Sequence, residues 1–184
     1  MKKAFAPIIP GLEINGEPAP YPVVNERAVR ATAGIMFVIA ISTFWYIKLT
    51  GNYGVMNVIV PLFWLEFFLK AVWGPAWSIF GIFGRWLVRK QKPEYVGAIQ
   101  KRFAWTLGLM MASSMVIISL LLEIRGILPM AICGTCMFLM WLESACGICV
   151  GCKIYQFLVK KNFIMKAEYA PACPGGACSI SRGI

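Results

Sequence analysis

Four long apolar segments decide what this chain of 184 residues can fold into. They cover approximately residues 31–48, 54–73, 103–122 and 127–150. A helix rises about 1.5 Å per residue, so roughly 20 apolar residues are needed to cross the hydrocarbon layer of a membrane. Hydrophobic residues make up 59% of the chain and its mean hydropathy is +0.71, which is too apolar for an ordinary soluble domain. We therefore expect an all-α polytopic integral membrane protein with four transmembrane helices.

Short connections group the segments into two pairs. LTGNYG joins the first segment to the second and EIRG joins the third to the fourth, which predicts two antiparallel helical hairpins. The longer middle connection contains apolar residues at helical spacing, opposite Arg85, Arg89 and Gln91. These apolar residues are Ile79, Phe80, Phe83, Trp86 and Leu87. The pattern favours a cytoplasmic amphipathic helix in the membrane interface, or an extension of the second span.

The basic residues indicate the orientation. Fifteen of the 18 Lys and Arg residues lie in the N-terminal tail, the middle connection and the C-terminal part, whereas the short links are flanked only by Lys48 and Arg125. The positive-inside rule assigns the basic side, with both termini, to the cytoplasm. We expect a Pro-rich N-terminal tail (1–24), a membrane domain (25–160) and a cytoplasmic Cys-containing tail (161–184).

Two residue types are missing, and their absence excludes much chemistry. The chain has eight Glu but no Asp and no His. Histidine-dependent nucleophiles, histidine metal ligands and Asp-rich cation loops are therefore excluded. The net charge of +10 accompanies apolar segments, so it indicates the lipid bilayer as the partner and not nucleic acid.

Three local patterns in this order carry a family resemblance: NERAVRATAG, YVGAIQKRFAWTLGL and LESACGICVGCKIY. Over roughly residues 22–160 the chain resembles a bacterial membrane family catalogued as domain of unknown function 4395. The resemblance implies four spans in the bacterial cytoplasmic (inner) membrane and supplies no catalytic residues. It also implies an association with thioredoxin-like or rhodanese-like partners, which favours thiol chemistry.

Five of the seven cysteines lie on the fourth segment: Cys133, Cys136, Cys146, Cys149 and Cys152. One interpretation is close helix packing, because Cys is small and Gly147 and Gly151 add a Gly-xxx-Gly spacing. A second is a thiol relay, because the first two cysteines lie nearer the outer face and the last two lie at the cytoplasmic edge. Some ~15–25 Å separates the two groups, and a mobile partner would have to bridge it.

Further roles for these cysteines also stay open. Cys146, Cys149, Cys152 and Cys173 could hold an iron–sulfur cluster or zinc, although cysteines three apart on one continuous helix fan around its axis. Acylation of Cys149 or Cys152 is another alternative. In the tail, Cys173 and Cys178 flank a Pro-Gly-Gly turn that would let them approach each other. No bound cofactor is predicted.

Two carboxyl groups lie inside apolar segments, where an ionisable group indicates function by default. Glu143 could accept the proton that a thiol loses before it attacks, or could bond to Ser113 or Ser114. Glu66 is one helical turn from Lys70, which predicts a pair between them.

The sequence thus leaves three functions open, and with them whether the protein is an enzyme. The first is thiol–disulfide or sulfane-sulfur transfer at or across the membrane. The second is a non-catalytic subunit or scaffold of a larger membrane complex. The third is a small carrier of an anion or sulfur species, with Lys48 and Arg125 at its outer mouth.

Overall fold

The computed structural model describes residues 5–14 and 17–163. In this part of the chain the helices are α1 (Glu26–Thr50), α2 (Met56–Val72), α3 (Ile79–Leu87), α4 (Ala98–Val116), α5 (Ile127–Cys146) and α6 (Val150–Lys160). A 3-10 turn, Pro75–Trp77, precedes α3, and a π-helical turn, Ile117–Leu121, extends α4. By length and composition, three described helices could cross a membrane: α1, α4 with its π turn, and α5. The prediction of a helical fold with helices long and apolar enough to cross a membrane is confirmed.

In the described part of the chain, four short strands, which the sequence did not predict, precede α1 and α4. They are β1 (Glu13–Ile14), β2 (Glu17–Pro18), β3 (Val23–Asn25) and β4 (Tyr95–Gly97). β1 pairs with β2 and β3 pairs with β4, both antiparallel. Because β3 leads directly into α1 and β4 directly into α4, the second pair makes these two helices begin side by side.

Asn25 strengthens this connection between the two helix starts. It is the N-cap of α1, and its side-chain oxygen accepts the backbone N–H of Arg27 at 3.1 Å. The same oxygen accepts the backbone N–H of Glu94, just before β4, at 3.2 Å. One side chain therefore satisfies a free helix donor and holds the two chain segments together.

The helices pack mainly with partners that are distant in sequence. α1 packs against α5 and α3, and α4 packs against α2 and α6, whereas α1 with α2 and α4 with α5 share few contacts. Small residues permit the close approaches: a Cβ on Gly151 would come within 2.6 Å of Ala104 Cβ, and one on Gly84 would collide with Thr32 Oγ1. The short links thus join helices whose main packing faces point to other partners.

The fourth segment is not one helix over 127–150, and that prediction is wrong in its last part. α5 ends at Cys146, Gly147 follows with φ 67°, and α6 begins at Val150. A left-handed glycine is the usual helix terminator. Arg30 of α1 stabilises this end, because its guanidinium donates to the carbonyl oxygens of Ser144 at 3.3 Å and Ala145 at 3.4 Å.

The predicted Glu66–Lys70 pair is confirmed, with 2.9 Å between Lys70 Nζ and Glu66 Oε1. Glu66 is fully buried, accepts the hydroxyl of Ser78, and accepts the backbone N–H of Phe80 at 3.2 Å. Its carboxylate therefore holds the start of α3 against α2. The predicted helix in the middle connection exists as α3, with Phe80 buried and Trp86 among its exposed apolar residues.

Candidate functional site

An ion triad, with Lys101 and Glu26 buried and Glu143 half-buried, lies where α1, α4 and α5 meet. Lys101 is fully buried in the first turn of α4, and its Nζ lies 2.8 Å from Glu26 Oε2 and 2.7 Å from Glu143 Oε1. Glu26 is the first residue of α1, and Glu143 lies in the last turn of α5. The β3–β4 pair brings Glu26 and Lys101 together. Arg30 holds the end of α5, and with it Glu143, beside them. Unpaired charges at such depth would be costly, and here the two carboxylates share the one ammonium group of Lys101.

Cys149 and Cys152 form a thiol pair at the start of α6. Cys149 is the N-cap of this helix, and its Sγ accepts the backbone N–H of Cys152 at 3.4 Å. The thiol of Cys152 donates to the same sulfur, with 2.7 Å between the two Sγ atoms. Both residues are buried. A Cys-x-x-Cys pair at a helix N-terminus is the arrangement that thiol oxidoreductases use, and mid-helix cysteines do not provide it.

The surroundings distinguish the two sulfurs electrostatically. The pKa of Cys152 is raised, first because its thiol donates a hydrogen bond to Cys149 and second because it is buried. The positive charge of Lys101 acts in the opposite direction, and Glu143 raises the pKa of Cys152 further. Cys149 Sγ is the acceptor in both sulfur contacts, which is the arrangement expected of the attacking sulfur in a dithiol pair.

The other predicted cysteines lie apart from this pair. Cys146 is exposed at the end of α5, before the chain turns at Gly147. Cys133 and Cys136 are half-buried, free thiols further along α5, and Cys136 precedes Cys146 by ten residues, or roughly 15 Å of helix. Of the thiols in the described part of the chain, only Cys149 and Cys152 have a sulfur–sulfur contact.

Glu143 bonds to Lys101 and to neither of its alternative serine partners. Ser113 donates to the carbonyl of Leu109, and Ser114 donates to that of Met110. In the described residues, no group of three or more Cys or Glu side chains could hold a metal ion. Cys173, the fourth residue of the suggested cluster set, and Cys178 lie outside the described residues.

A cavity of about 770 Å³ runs between the α1–α5 pair and the α2–α4 pair. One end is lined by Lys48 and Arg125, and the other by Glu143, Cys149 and Gly151. The wall between these ends is predominantly apolar and includes Phe44, Phe63, Leu107, Met111, Cys136 and Met137. The thiol pair and the ion triad therefore border an apolar space that extends along the helices.

Sequence reasoning named Cys149, Cys152 and Glu143 but missed Glu26 and Lys101. Both missed residues lie close to the ends of apolar segments, where charged residues usually act as interfacial anchors. A signal was nevertheless present, because each of the three local patterns that carry the family resemblance contributes to the site. NERAVRATAG contains Glu26, YVGAIQKRFAWTLGL contains Lys101, and LESACGICVGCKIY contains the remaining three residues.

The helices and this site together define a helical membrane protein with a buried dithiol beside an ion triad. The family model for domain of unknown function DUF4395 matches residues 24–160, well over half of the chain. The protein therefore belongs to this family, and the match includes every residue of the site. No curated protein and no solved structure matches the chain.

Proposed function

We propose that the protein spans the bacterial cytoplasmic membrane four times, with both termini in the cytoplasm and α3 lying in the inner interface. The fourth span is α2, whose 17 residues lie at the lower end of the length that can cross the hydrocarbon layer. Glu66 and Lys70 neutralise each other within it. Contacts of the basic segments support the orientation, because Arg27 bonds to Gln91 and Arg102 bonds to the carbonyl of Ala71, at the same end of the helices.

We infer that this protein carries out thiol–disulfide exchange at the cytoplasmic side of the membrane. Cys149 attacks a sulfur of a partner disulfide, forms a mixed disulfide and releases one partner thiol. Cys152 then attacks Cys149, which forms the Cys149–Cys152 disulfide and releases the second partner thiol. Two electrons and two protons pass to the partner, and the reverse sequence reduces the pair again.

The observation that carries this proposal is the position of Cys149 at the N-cap of α6, 2.7 Å from Cys152 Sγ and beside buried Lys101. A packing role alone would not require a cation next to two thiols in a buried site. Glu143 bonds to Lys101 and lines the cavity, so it is the proton partner of the pair. A thioredoxin-like or rhodanese-like protein would fit as the cytoplasmic partner.

The geometry favours exchange at the membrane over a direct relay across it. Cys136 lies roughly 15 Å from the end of α5, whereas disulfide exchange requires sulfur contact. An anion carrier is also disfavoured, because the cavity wall between Lys48 and Cys149 is predominantly apolar. Moving a charge along such a wall without polar partners would be costly.

Differential alkylation with mass spectrometry tests the proposal. Membranes are treated with an oxidised thioredoxin-type disulfide, and the redox state of every cysteine is then read with and without reductant. We expect a reductant-sensitive Cys149–Cys152 disulfide, and with Cys152→Ser a trapped mixed disulfide on Cys149. Cys146→Ser is the matched control and should leave both results unchanged. If all seven cysteines stay reduced and do not react with the partner disulfide, the result would instead support a scaffold role.

A further inference from the structure

The cavity makes Cys149 accessible from within the helical bundle. The cavity lining includes Cys149, Val150 and Gly151 at the start of α6. Cys149 is otherwise buried, with only 6% of its surface exposed. A reactant of the dithiol can therefore approach through the apolar interior as well as from the cytoplasm. The proposed exchange with a soluble partner leaves this second approach unused.

The lining specifies the chemistry of the reactant. Aromatic and aliphatic side chains from α1, α2, α4 and α5 form most of the wall, which suits a long hydrocarbon chain. Glu143 is the only carboxylate among the described residues that line the cavity, and it lies at the same end as Cys149. A molecule with an apolar tail and a small polar head would therefore meet the sulfur and the proton acceptor together.

We propose that the cavity binds a lipid-soluble quinone whose head group accepts the electrons of the Cys149–Cys152 dithiol. This inference rests on the proposed thiol exchange and names its second reactant. The dithiol loses two electrons and two protons and forms one S–S bond, and the quinone gains both and becomes a quinol. Glu143 at the cavity end relays the protons, and Lys101 bonds to its carboxylate from behind the lining. The chain of the quinone runs past Leu107 and Met137 toward the opposite end.

The space itself arises from the helix packing. α1 lies mainly against α5, and α2 lies mainly against α4, so the two pairs have an apolar gap between them. In a membrane, such a gap fills with a hydrocarbon chain, because a void lined by apolar side chains loses its dispersion contacts. Quinones are the membrane-soluble two-electron acceptors that fit both this gap and the dithiol.

The test uses the full-length protein in phospholipid nanodiscs, reduced, freed of reductant and mixed anaerobically with decylubiquinone. Quinol formation is followed by ultraviolet absorbance, and the Cys149–Cys152 disulfide is followed by alkylation and mass spectrometry. We expect about one quinol per protein. Leu107→Trp, which fills the inner half of the cavity, should slow quinol formation at least about tenfold, the scale of a steric change in an apolar pocket.

Thr106→Trp is the matched control, because Thr106 is the exposed neighbour on α4 and lies outside the cavity lining. Met137→Trp, on the opposite wall, provides a second blocked variant. Exchange with glutathione disulfide is measured for every protein, so a variant that fails to fold is recognised by losing both reactions. Normal exchange without quinone reduction, or equal quinone reduction in all variants, would overturn the quinone site and leave the exchange function intact. If the unaltered protein shows no exchange with glutathione disulfide, the proposed function itself is overturned.

Discussion

Cys149 and Cys152, at the start of α6, have opposite roles in the hydrogen bond between them. Cys149 precedes α6 and accepts, whereas Cys152 lies in its first turn and donates. The donated proton and the burial of the thiol both raise the pKa of Cys152. Cys152 therefore keeps its proton at neutral pH, which suits the resolving role that the proposed exchange gives it.

Replacing Cys149 should make Cys152 easier to ionise. Because the hydrogen bond to Cys149 is the largest cause of the raised pKa, Cys149→Ala should lower the pKa of Cys152 toward its ordinary value. The pH midpoint for alkylation of Cys152 by iodoacetamide should then fall relative to the unaltered protein. The midpoint is measured by quenching the reaction over a pH series and quantifying the Cys152 peptide.

The control for this prediction is Cys146→Ala, which removes an exposed thiol that has no contact with Cys152. It should leave the midpoint of Cys152 unchanged. An equal midpoint in Cys149→Ala and the unaltered protein would show that Cys149 does not hold the proton of Cys152.

At this scale the sequence identified the two thiols and Glu143, but it could not identify Lys101 and Glu26. Cys149, Cys152 and Glu143 stood out because reactive or ionisable groups are rare in apolar segments. Lys101 did not stand out, because a lysine beside Arg102 at the start of a span has the same pattern whether it snorkels or is buried. Its burial depends on Glu26, which is 75 residues away along the chain.

At the scale of elements, the break at Gly147 creates the site. A helix continued through this glycine would have spread Cys146, Cys149 and Cys152 around its axis. Because the chain turns after Cys146 instead, Cys149 becomes a helix N-cap with its sulfur against Cys152. The Gly-xxx-Gly spacing was interpreted as close helix packing. Gly151 does lie against Ala104, whereas Gly147 forms the turn between the two helices.

Gly147→Ala should destabilise the protein, because residue 147 has φ 67° and a Cβ there would lie 3.2 Å from the Arg30 guanidinium. A left-handed alanine costs about 1–2 kcal/mol, which corresponds to a Tm lower by roughly 2–8 °C for a chain of this size. Thermal unfolding in detergent, followed by circular dichroism, measures the change.

Gly134→Ala on the same helix is the matched control. Apart from the backbone of its own helix, no atom of the described residues lies within 4 Å of a Cβ at position 134. The substitution should therefore be neutral or should stabilise by up to about 1 kcal/mol through helix propensity. Equal Tm changes in both variants would contradict the assignment of Gly147 as an obligatory turn.

At the scale of the whole molecule, pairing between distant helices assembles the site and the cavity. The β3–β4 pair aligns α1 with α4, and Arg30 fixes the end of α5 next to them. The same arrangement separates the α1–α5 pair from the α2–α4 pair and leaves the apolar cavity between them. One packing arrangement therefore determines both the position of the thiols and the shape of the cavity.

The proposed orientation predicts which ends of the helices are accessible from outside the cell. In a variant with all native cysteines replaced by serine, Asn52→Cys, in the exposed link after α1, should react with a membrane-impermeant maleimide in intact cells. A variant that keeps only Cys146 should react after the membrane is permeabilised and not before. The reverse pattern would contradict cytoplasmic termini.

The sequence by itself determined the helical membrane class, the family, and the rare thiol and carboxyl residues that became candidates for a site. These properties follow from composition, from the length of apolar segments and from local patterns, all of which are readable along the chain. Only the tertiary structure decided that Glu26, Lys101, Glu143, Cys149 and Cys152 form one site. Helix partners are chosen by complementary small faces and buried ion pairs between distant residues, and local periodicity does not encode that choice.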